Sequence, residues 1–395
     1  MSTLEIFLGN KLISCDTIVP LILSLKKINN NIKVNYYIFD DRSFSAIKKN
    51  EFLYFSLRST GKIYLKGTPY KSNNLRKYIA RIKTLLFMLK IFVKLLLGNT
   101  KIFHFGIFCL GPFKLLQILF YKNIFFVESN CWAGHKNVKI LDNIITTKES
   151  TKKDRIIMLS KNIIYFNKNY LKNNKTNNIN LILLENPRKF RTWHDHVVKY
   201  GIPKVKSQLE SLNYDYDKGY FVYILGYIGK NDRMNHANSL EILIHKTLKL
   251  LDKYGNDIPV FIKPHIITDM ILLNKILKKY NYDNVHITYL HPAALSANAK
   301  LVISNCFSIS QADADFFGAQ TVEYTDYSKA ALKATNGQSE NPIYVKHFIN
   351  NDAEIFKNII QKSLSIKSLN NVKYIYEDQK ESSVTTQFFL KYFSL

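Results

Sequence analysis

The sequence predicts an α/β fold made of two parallel-sheet domains, on three observations. Short apolar, β-branched runs alternate with helical-looking segments along most of the chain. Between Pro259 and Ser328 each such run ends abruptly in Lys, His, Ser, Asn, Glu or Asp, which is how buried parallel strands read at their carboxyl ends. Finally, 395 residues with 47% hydrophobic content exclude a disordered chain and are enough for two domains of ordinary size.

Composition narrows the partners. Lys plus Arg number 56 against 30 Asp plus Glu, and the net charge of +26 favours anionic partners: nucleotides, nucleic acid or an anionic membrane surface. The four cysteines, Cys15, Cys109, Cys131 and Cys306, are scattered without a Cys-x-x-Cys pair, the pattern of a reduced intracellular protein with no structural zinc. Met1 to Gly9 holds no basic segment ahead of an apolar core, so no secretory signal is expected. The most apolar stretches, Leu85 to Leu97 and Ile102 to Val127, are interrupted by lysines or by Gly111-Pro112, and neither is expected to span a membrane.

Taken in order, Leu4 to Leu8 reads as a strand stopped by Gly9-Asn10, followed by a helix through Leu25 that Ser14 or Asp16 can cap, and then a strand from Val34 to Phe39 ending in Asp40-Asp41. This is a Rossmann-like βαβ opening, although its single Gly turn lacks the full phosphate-binding fingerprint. From Phe52 to Val127 there is no acidic residue, while thirteen Lys or Arg occur. Leu75 to Leu97 reads as a helix with an apolar stripe of Leu75, Ile79, Ile82, Leu86, Leu89 and Val93, beside which Arg76, Lys83, Lys90 and Lys94 line up. Such a helix either lies on an anionic membrane or buries its stripe in the core. Lys101 to Phe105 and Asn123 to Val127 read as strands, with Ile156 to Leu159 and Asn180 to Leu184 completing the first sheet.

Glu128, directly after one of these strands and before a Gly-containing polar run to His135, stands where either a catalytic carboxylate or a helix-capping carboxylate belongs. Glu185 to Asp217 breaks the rhythm and reads as an interdomain connection. Its Trp193-His194-Asp195-His196 lacks the distant partner a metal site needs and is expected to be a polar helix turn. The predicted domains are therefore 1–187, a connection over 188–218, a second domain over 219–350 and a helical segment over 351–395.

The second domain reads as five strands with a helix in every gap: strands Phe221 to Tyr227, Pro259 to Ile262, Val285 to Tyr289, Leu301 to Ile303 and Gln320 to Tyr324, and helices Ser239 to Tyr254, Asp269 to Tyr280, Pro292 to Asn298 and Ser310 to Phe317. Beyond Pro342 a helix from Ala353 to Leu364 and an amphipathic segment near Gln387 to Phe393 are expected, with a strand signal only at Val372 to Tyr376. Lys263 and His265 follow a strand directly, and Pro264 stiffens the backbone between them. One reading is a surface turn. The other is a phosphate contact, since Lys offers a point charge and His a donor that titrates near neutral pH. Two strands later Ser304, Asn305, Ser308 and Ser310 crowd a loop and a helix start, where hydroxyls and backbone N–H groups suit an anion.

The Lys263-Pro264-His265 turn and the Ser308 to Ser310 turn, set in the second of two Rossmann-like halves, resemble GT-B glycosyltransferases. The closest types are the bacterial capsule and lipopolysaccharide enzymes that transfer CMP-activated acidic sugars, the Kdo-transferases and sialyltransferases. The resemblance implies two domains facing across a cleft. His265 would contact the donor phosphate with Lys263 nearby, and Ser308 and Ser310 would act as its paired hydroxyls. It departs from the family at Ile266, where a proline is expected, and at Ile309, which splits the serines, while His291-Pro292 offers a second His-Pro pair. A general base would come from the first domain, Glu128 first, then Asp16 and Asp40, and Glu323 and Asp326 would meet ribose or sugar hydroxyls. Asp313-Ala314-Asp315 falls inside a helix pattern, so a metal-independent enzyme with no cofactor beyond its nucleotide-sugar donor is expected.

The implied donor is a CMP-acidic sugar or a UDP-sugar. The implied acceptor is a surface glycan or lipid-linked glycan reached from the inner face of the cytoplasmic membrane through Arg76, Lys83, Lys90 and Lys94. A CDP-glycerol-type phosphotransferase is the alternative from the same fold class. A nucleic-acid-binding protein is permitted by the charge, but no RNP pattern or zinc finger supports it, so no nucleic-acid partner is expected.

Overall fold

The computed structural model describes residues 2–8, 12–68, 74–105, 111–128, 161–166, 180–226, 239–266, 268–340, 342–366 and 378–393. The chain divides into two compact units, residues 1–194 with 376–395, and residues 195–375. Each is organised on one parallel sheet.

The first unit runs β1 (Thr3–Phe7), α1 (Leu12–Ile28), β2 (Lys33–Asp40), α2 (Asp41–Lys49), α3 (Glu51–Thr60), β3 (Lys62–Thr68), α4 (Asn74–Leu96), β4 (Thr100–His104), α5 (Gly111–Leu119), β5 (Ile124–Val127), β6 (Asn162–Tyr165) and β7 (Asn180–Leu183). Its seven strands lie in the order β3-β2-β1-β4-β5-β6-β7. All neighbours are parallel. The chain winds outward from β1 to β3, then restarts at β4 on the other side of β1, so the order reverses between β1 and β4.

Alternation along the strands sorts the helices into two layers. Phe7, Ile102 and Ile124 share one face with Phe87, Met88, Ile91 and Leu95 of α4 and Phe113 and Leu116 of α5. On that face the buried Glu5 accepts a hydrogen bond from Asn35 at 3.1 Å and pairs with Lys94 of α4. A carboxylate inside a sheet is costly unless paired, so this ion pair fixes how α4 lies on β1.

Two sequence expectations change here. Lys94 is turned inward to Glu5 rather than outward as an anionic-surface contact. Of the two readings of the apolar stripe, the core one does not hold: Ile79, Ile82, Leu86, Leu89 and Val93 are exposed, and α4 buries its opposite side. Strand β3, absent from the sequence reading, is an edge strand broken by Lys62, Lys66 and Gly67. The strand expected at 156–159 lies outside the described residues, while β6 occupies Asn162–Tyr165.

The expected connection is not a loose linker. It folds into α6 (Arg191–His196), a π-helical turn (Val197–Gly201) and α7 (Ile202–Glu210). Trp193 is buried with its ring 5.6 Å from that of Phe52, so the polar-looking Trp-His-Asp-His run is anchored by its indole.

The second unit continues with β8 (Tyr220–Ile224), α8 (Leu240–Tyr254), β9 (Val260–Lys263), α9 (Met270–Tyr280), β10 (Val285–Ile287), α10 (Pro292–Ser296), β11 (Ala299–Ser304), α11 (Ser310–Phe316), β12 (Gln320–Thr325), α12 (Lys329–Ala334), β13 (His347–Asn350) and α13 (Ala353–Leu364). Side-chain caps mark the helix starts that the sequence pointed to: Ser239 accepts from Ile242, and Asp269 from Ile271 and Leu272. The sheet has six strands, β10-β9-β8-β11-β12-β13, rather than five. All are parallel. The extra strand β13 is an edge strand of four residues whose His-Phe-Ile-Asn carries no readable period. The π-helical turn and α7 pack on α10 of this unit.

Residues 351–395, read as one segment, divide between the units. α13 packs on α8, whereas α14 (Asp378–Phe393) belongs to the first unit. There Phe393 meets Phe103 at 5.7 Å and Phe388 meets Phe125 at 6.1 Å, on the sheet face opposite α4 and α5. Thr385 donates to the buried Glu185 at 3.0 Å, a further tie for α14. The strand signal at 372–376 lies outside the described residues.

Candidate functional site

In an open parallel sheet, ligands bind beyond the carboxyl ends of the strands where the order reverses. In the second sheet that point lies between β8 and β11. Parallel pairing puts the ends of β9, β8, β11 and β12 side by side, so Lys263, which ends β9, lies on one edge with Gly226, Asn305 and Asp326, which follow β8, β11 and β12.

The two strands at the reversal are tied together past their last ladder bonds. The side-chain Oδ1 of Asn305 accepts the backbone N–H of Gly226 at 2.7 Å. A Cβ at Gly226 would stand 2.3 Å from Cys306 Sγ, so only glycine allows the β8 turn to approach β11 this closely. On the other side, Leu225 donates to the carbonyl of Lys263 at 3.0 Å, carrying the ladder into the Lys-Pro-His turn. That turn closes with the Thr268 N–H on the His265 carbonyl at 2.9 Å, immediately before the Asp269 cap of α9. Lys263 is half-buried and His265 exposed.

The predicted phosphate residues separate into two layers. Ser304 and Asn305 are fully buried. Ser304 Oγ accepts from Gln311 Nε2 at 2.8 Å, and the same amide donates to the Val322 carbonyl at 2.8 Å, which sets α11 against β11 and β12. Ser308 and Ser310 are only half-buried, and the Ser308 hydroxyl accepts the N–H of Ser310 at 3.3 Å at the start of α11. Lys263, His265, Ser308 and Ser310 are thus the reachable groups, while Ser304 and Asn305 shape the backbone that carries them.

Glu323 is buried, and both carboxylate oxygens accept hydrogen bonds, from Tyr327 Oη at 2.8 Å and from Ser339 Oγ at 2.6 Å. Burial pushes its carboxyl above the ordinary range, while the two hydroxyl donors pull it back. Tyr327 Oη also accepts the N–H of Phe307 at 3.2 Å, and its own N–H donates to Asn350 Oδ1 at 2.6 Å. Tyr327 therefore binds the loop after β11 to the ends of β12 and β13. The sequence reading passed over it and over Gln311, because a Tyr after a strand and a Gln in a helix carry no pattern signal. Asp326, next to Tyr327, is buried.

The second His-Pro pair has a structural role. His291 is buried and its Nδ1 accepts the N–H of Ala293 at 3.1 Å, capping α10. Asp313 and Asp315 lie within α11 as expected, with Asp313 buried and Asp315 3.7 Å from Lys346.

In the first unit, Glu128 follows β5 at the carboxyl edge of the sheet, is half-buried, and donates its N–H to the Ile164 carbonyl at 3.0 Å. Asp16 lies in α1, half-buried, one turn into the helix that follows β1. Asp40 instead caps α2, accepting the Ser43 N–H at 2.7 Å. Residues 129–135 after Glu128 and 227–230 after Gly226 lie outside the described residues.

No protein-family model and no curated protein matches the chain. Solved structures do. UGT89C1 of Arabidopsis thaliana complexed with UDP gives a TM-score of 0.58 at 10% identity, covering 100% of both chains. UDP-GlcNAc 2-epimerase from Methanocaldococcus jannaschii gives 0.55 at 14% identity over 99% of each chain. LpCGTa in complex with UDP gives 0.52 at 8% identity over 100% of each. At these identities the likeness is one of fold: two Rossmann-like α/β units of the GT-B class.

Proposed function

We propose that the chain is a glycosyltransferase that takes a sugar from a nucleotide-activated donor held at the carboxyl edge of the second sheet. The supporting observation is the Asn305 to Gly226 tie at the strand-order reversal, which gathers Lys263, His265, Ser308 and Ser310 on one edge. Lys263 and His265 supply cationic and donor groups for a diphosphate, and the two serines add hydroxyl donors. In the reaction an acceptor hydroxyl oxygen bonds to the anomeric carbon as the carbon–oxygen bond to phosphate breaks. The bonding pair leaves with the nucleotide, whose charge these groups neutralise. The hydroxyl proton passes to a carboxylate, for which Glu128 is the first candidate and Asp16 the second.

The bound UDP in two of the similar structures favours a UDP-sugar over the CMP-acidic sugar that the sequence resemblance implied. A glycan or lipid-linked acceptor, as in capsule or lipopolysaccharide assembly at the inner membrane face, completes the proposal. A thermal-shift panel of UDP, CMP, CDP, UDP-sugars, CMP-sugars and CDP-glycerol tests it, since a ligand at a hundred times its Kd adds about 2.7 kcal/mol. Stabilisation by one nucleotide class is expected, and none by any nucleotide overturns the reading. The epimerase likeness supports a second reading, sugar isomerisation on the nucleotide. Conversion of a UDP-sugar to its epimer without an acceptor would establish that reading instead.

A further inference from the structure

Helix α4 carries two apolar faces, and the fold uses one. At 3.6 residues per turn, Phe87, Met88, Ile91 and Leu95 face the sheet, and Ile79, Ile82, Leu85, Leu86, Leu89, Val93 and Leu96 fall on roughly the opposite side. Leu86 is 60% exposed, and Leu97, just beyond the helix, is 73% exposed. Helix α5 repeats the division: Phe113 and Leu116 join the core beneath α4, while Leu115, Ile118 and Leu119 are exposed. The two helices pack on each other, and Phe92 of α4 meets Phe120 after α5 at 5.5 Å. Their outer sides therefore form one apolar surface across two neighbouring helices.

We propose that this surface docks on an anionic lipid bilayer, with α4 and α5 lying in the interface plane. Charge argues for that occupant. Lys83 and Lys90 are exposed on α4 along the edge of its apolar stripe, and Lys114 in α5 and Lys122 just after it are exposed too. No Asp or Glu occurs between residues 52 and 127, so neither helix contributes an acid to repel lipid phosphates. Apolar side chains enter the acyl boundary while lysines reach the headgroups. Among the described residues no helix is long and apolar enough to cross a membrane, which matches a helix that lies in the interface rather than one that spans it. The stripe also separates this partner from nucleic acid, which the lysines alone would satisfy.

The inference goes beyond the donor site and does not depend on it, because vesicle binding is read without any sugar transfer. The full chain is sedimented with phosphatidylglycerol–phosphatidylethanolamine vesicles and with phosphatidylcholine vesicles, and is expected to pellet with the first alone. Replacing Lys83, Lys90, Lys114 and Lys122 with Gln is expected to cost about fivefold in partitioning per lysine. Leu86→Ser, Leu89→Ser, Leu115→Ser and Ile118→Ser together are expected to cost roughly a hundredfold or more. All of these side chains are exposed, so thermal unfolding should be unchanged. Wild-type binding by the serine variant overturns the proposal, as does equal pelleting with phosphatidylcholine. A dimer that the serine substitutions dissolve, with no pelleting by the wild-type chain, assigns the surface to a second copy and overturns it as well.

Discussion

Asn305 Oδ1 accepts the backbone N–H of Gly226 at 2.7 Å, joining the ends of β8 and β11 where the strand order of the second sheet reverses. Neither residue needs to touch a ligand for this bond to matter. It sets how closely two backbone turns approach at the position where an α/β sheet binds its ligand.

The tightness of that approach is testable. Gly226→Ala places a Cβ 2.3 Å from Cys306 Sγ, so this buried side chain must shift to admit it. We expect a loss of about 2 kcal/mol, of the kind seen for overpacked sites. Cys306→Ala removes the clashing sulfur, so the double variant should recover most of that loss, with a coupling on the order of 1 kcal/mol or more. Denaturant unfolding of the four proteins decides it, and strict additivity would show that the two turns are not packed as described.

Two further variants separate a group that meets the ligand from one that positions it. His265 is exposed and its turn is closed through its carbonyl, so His265→Ala should lower sugar transfer at least about a hundredfold while the chain stays folded. Asn305→Ala should lower both nucleotide affinity and stability, the latter by about 1 kcal/mol, because it strands the half-buried Gly226 N–H. Full turnover in the His265 variant would remove it from the site.

Glu5 and Lys94 set the seat of α4. Lys94→Met leaves a fully buried carboxylate with neutral donors on β2, Asn35 and Tyr37, in place of its counter-charge, and should cost about 3 kcal/mol. Adding Glu5→Gln should restore part of it, since an amide needs no counter-charge. Urea unfolding of the single and double variants measures both effects.

Stability should fall on the acid side of neutrality. Burial among Phe113, Phe126 and Gln117 pushes the His104 imidazole down to about 3, and burial with Lys199 nearby pushes His196 down to about 4. An unfolded imidazole protonates near its ordinary value of about 6.5, so below that pH the unfolded chain binds more protons and each histidine withdraws up to about 1.4 kcal/mol per pH unit. The loss runs from about 6.5 down to the folded values, where it ends. Glu323 acts in the opposite sense, its raised carboxyl favouring the fold at low pH and losing that advantage as pH rises. His104→Gln should therefore flatten the profile between about pH 6.5 and 3, and an unchanged slope would show that His104 is not held neutral.

The parallel strands of the second sheet were readable because strands buried on both faces must be apolar throughout and must end where the backbone meets water, hence Val260 to Ile262 before Lys263 and Leu301 to Ile303 before Ser304. Helix starts were readable because Ser239 and Asp269 satisfy first-turn amide groups that have no acceptor within the helix itself. The edge strands β3 and β13 were not, since an edge is half solvated and tolerates Lys62, Lys66, His347 and Asn350.

By itself, the sequence determined the α/β class, most of the elements and the strand-end positions of Lys263, His265 and Ser308, because each depends on local periodicity or on a neighbour within a few residues. Tertiary structure alone decided which of two apolar faces of α4 is buried, that Lys94 turns in to Glu5, and that Asn305 reaches a backbone N–H 79 residues away. A helix with two apolar stripes has no internal reason to choose between them. The choice comes from one buried carboxylate on a strand that the chain laid down 89 residues earlier.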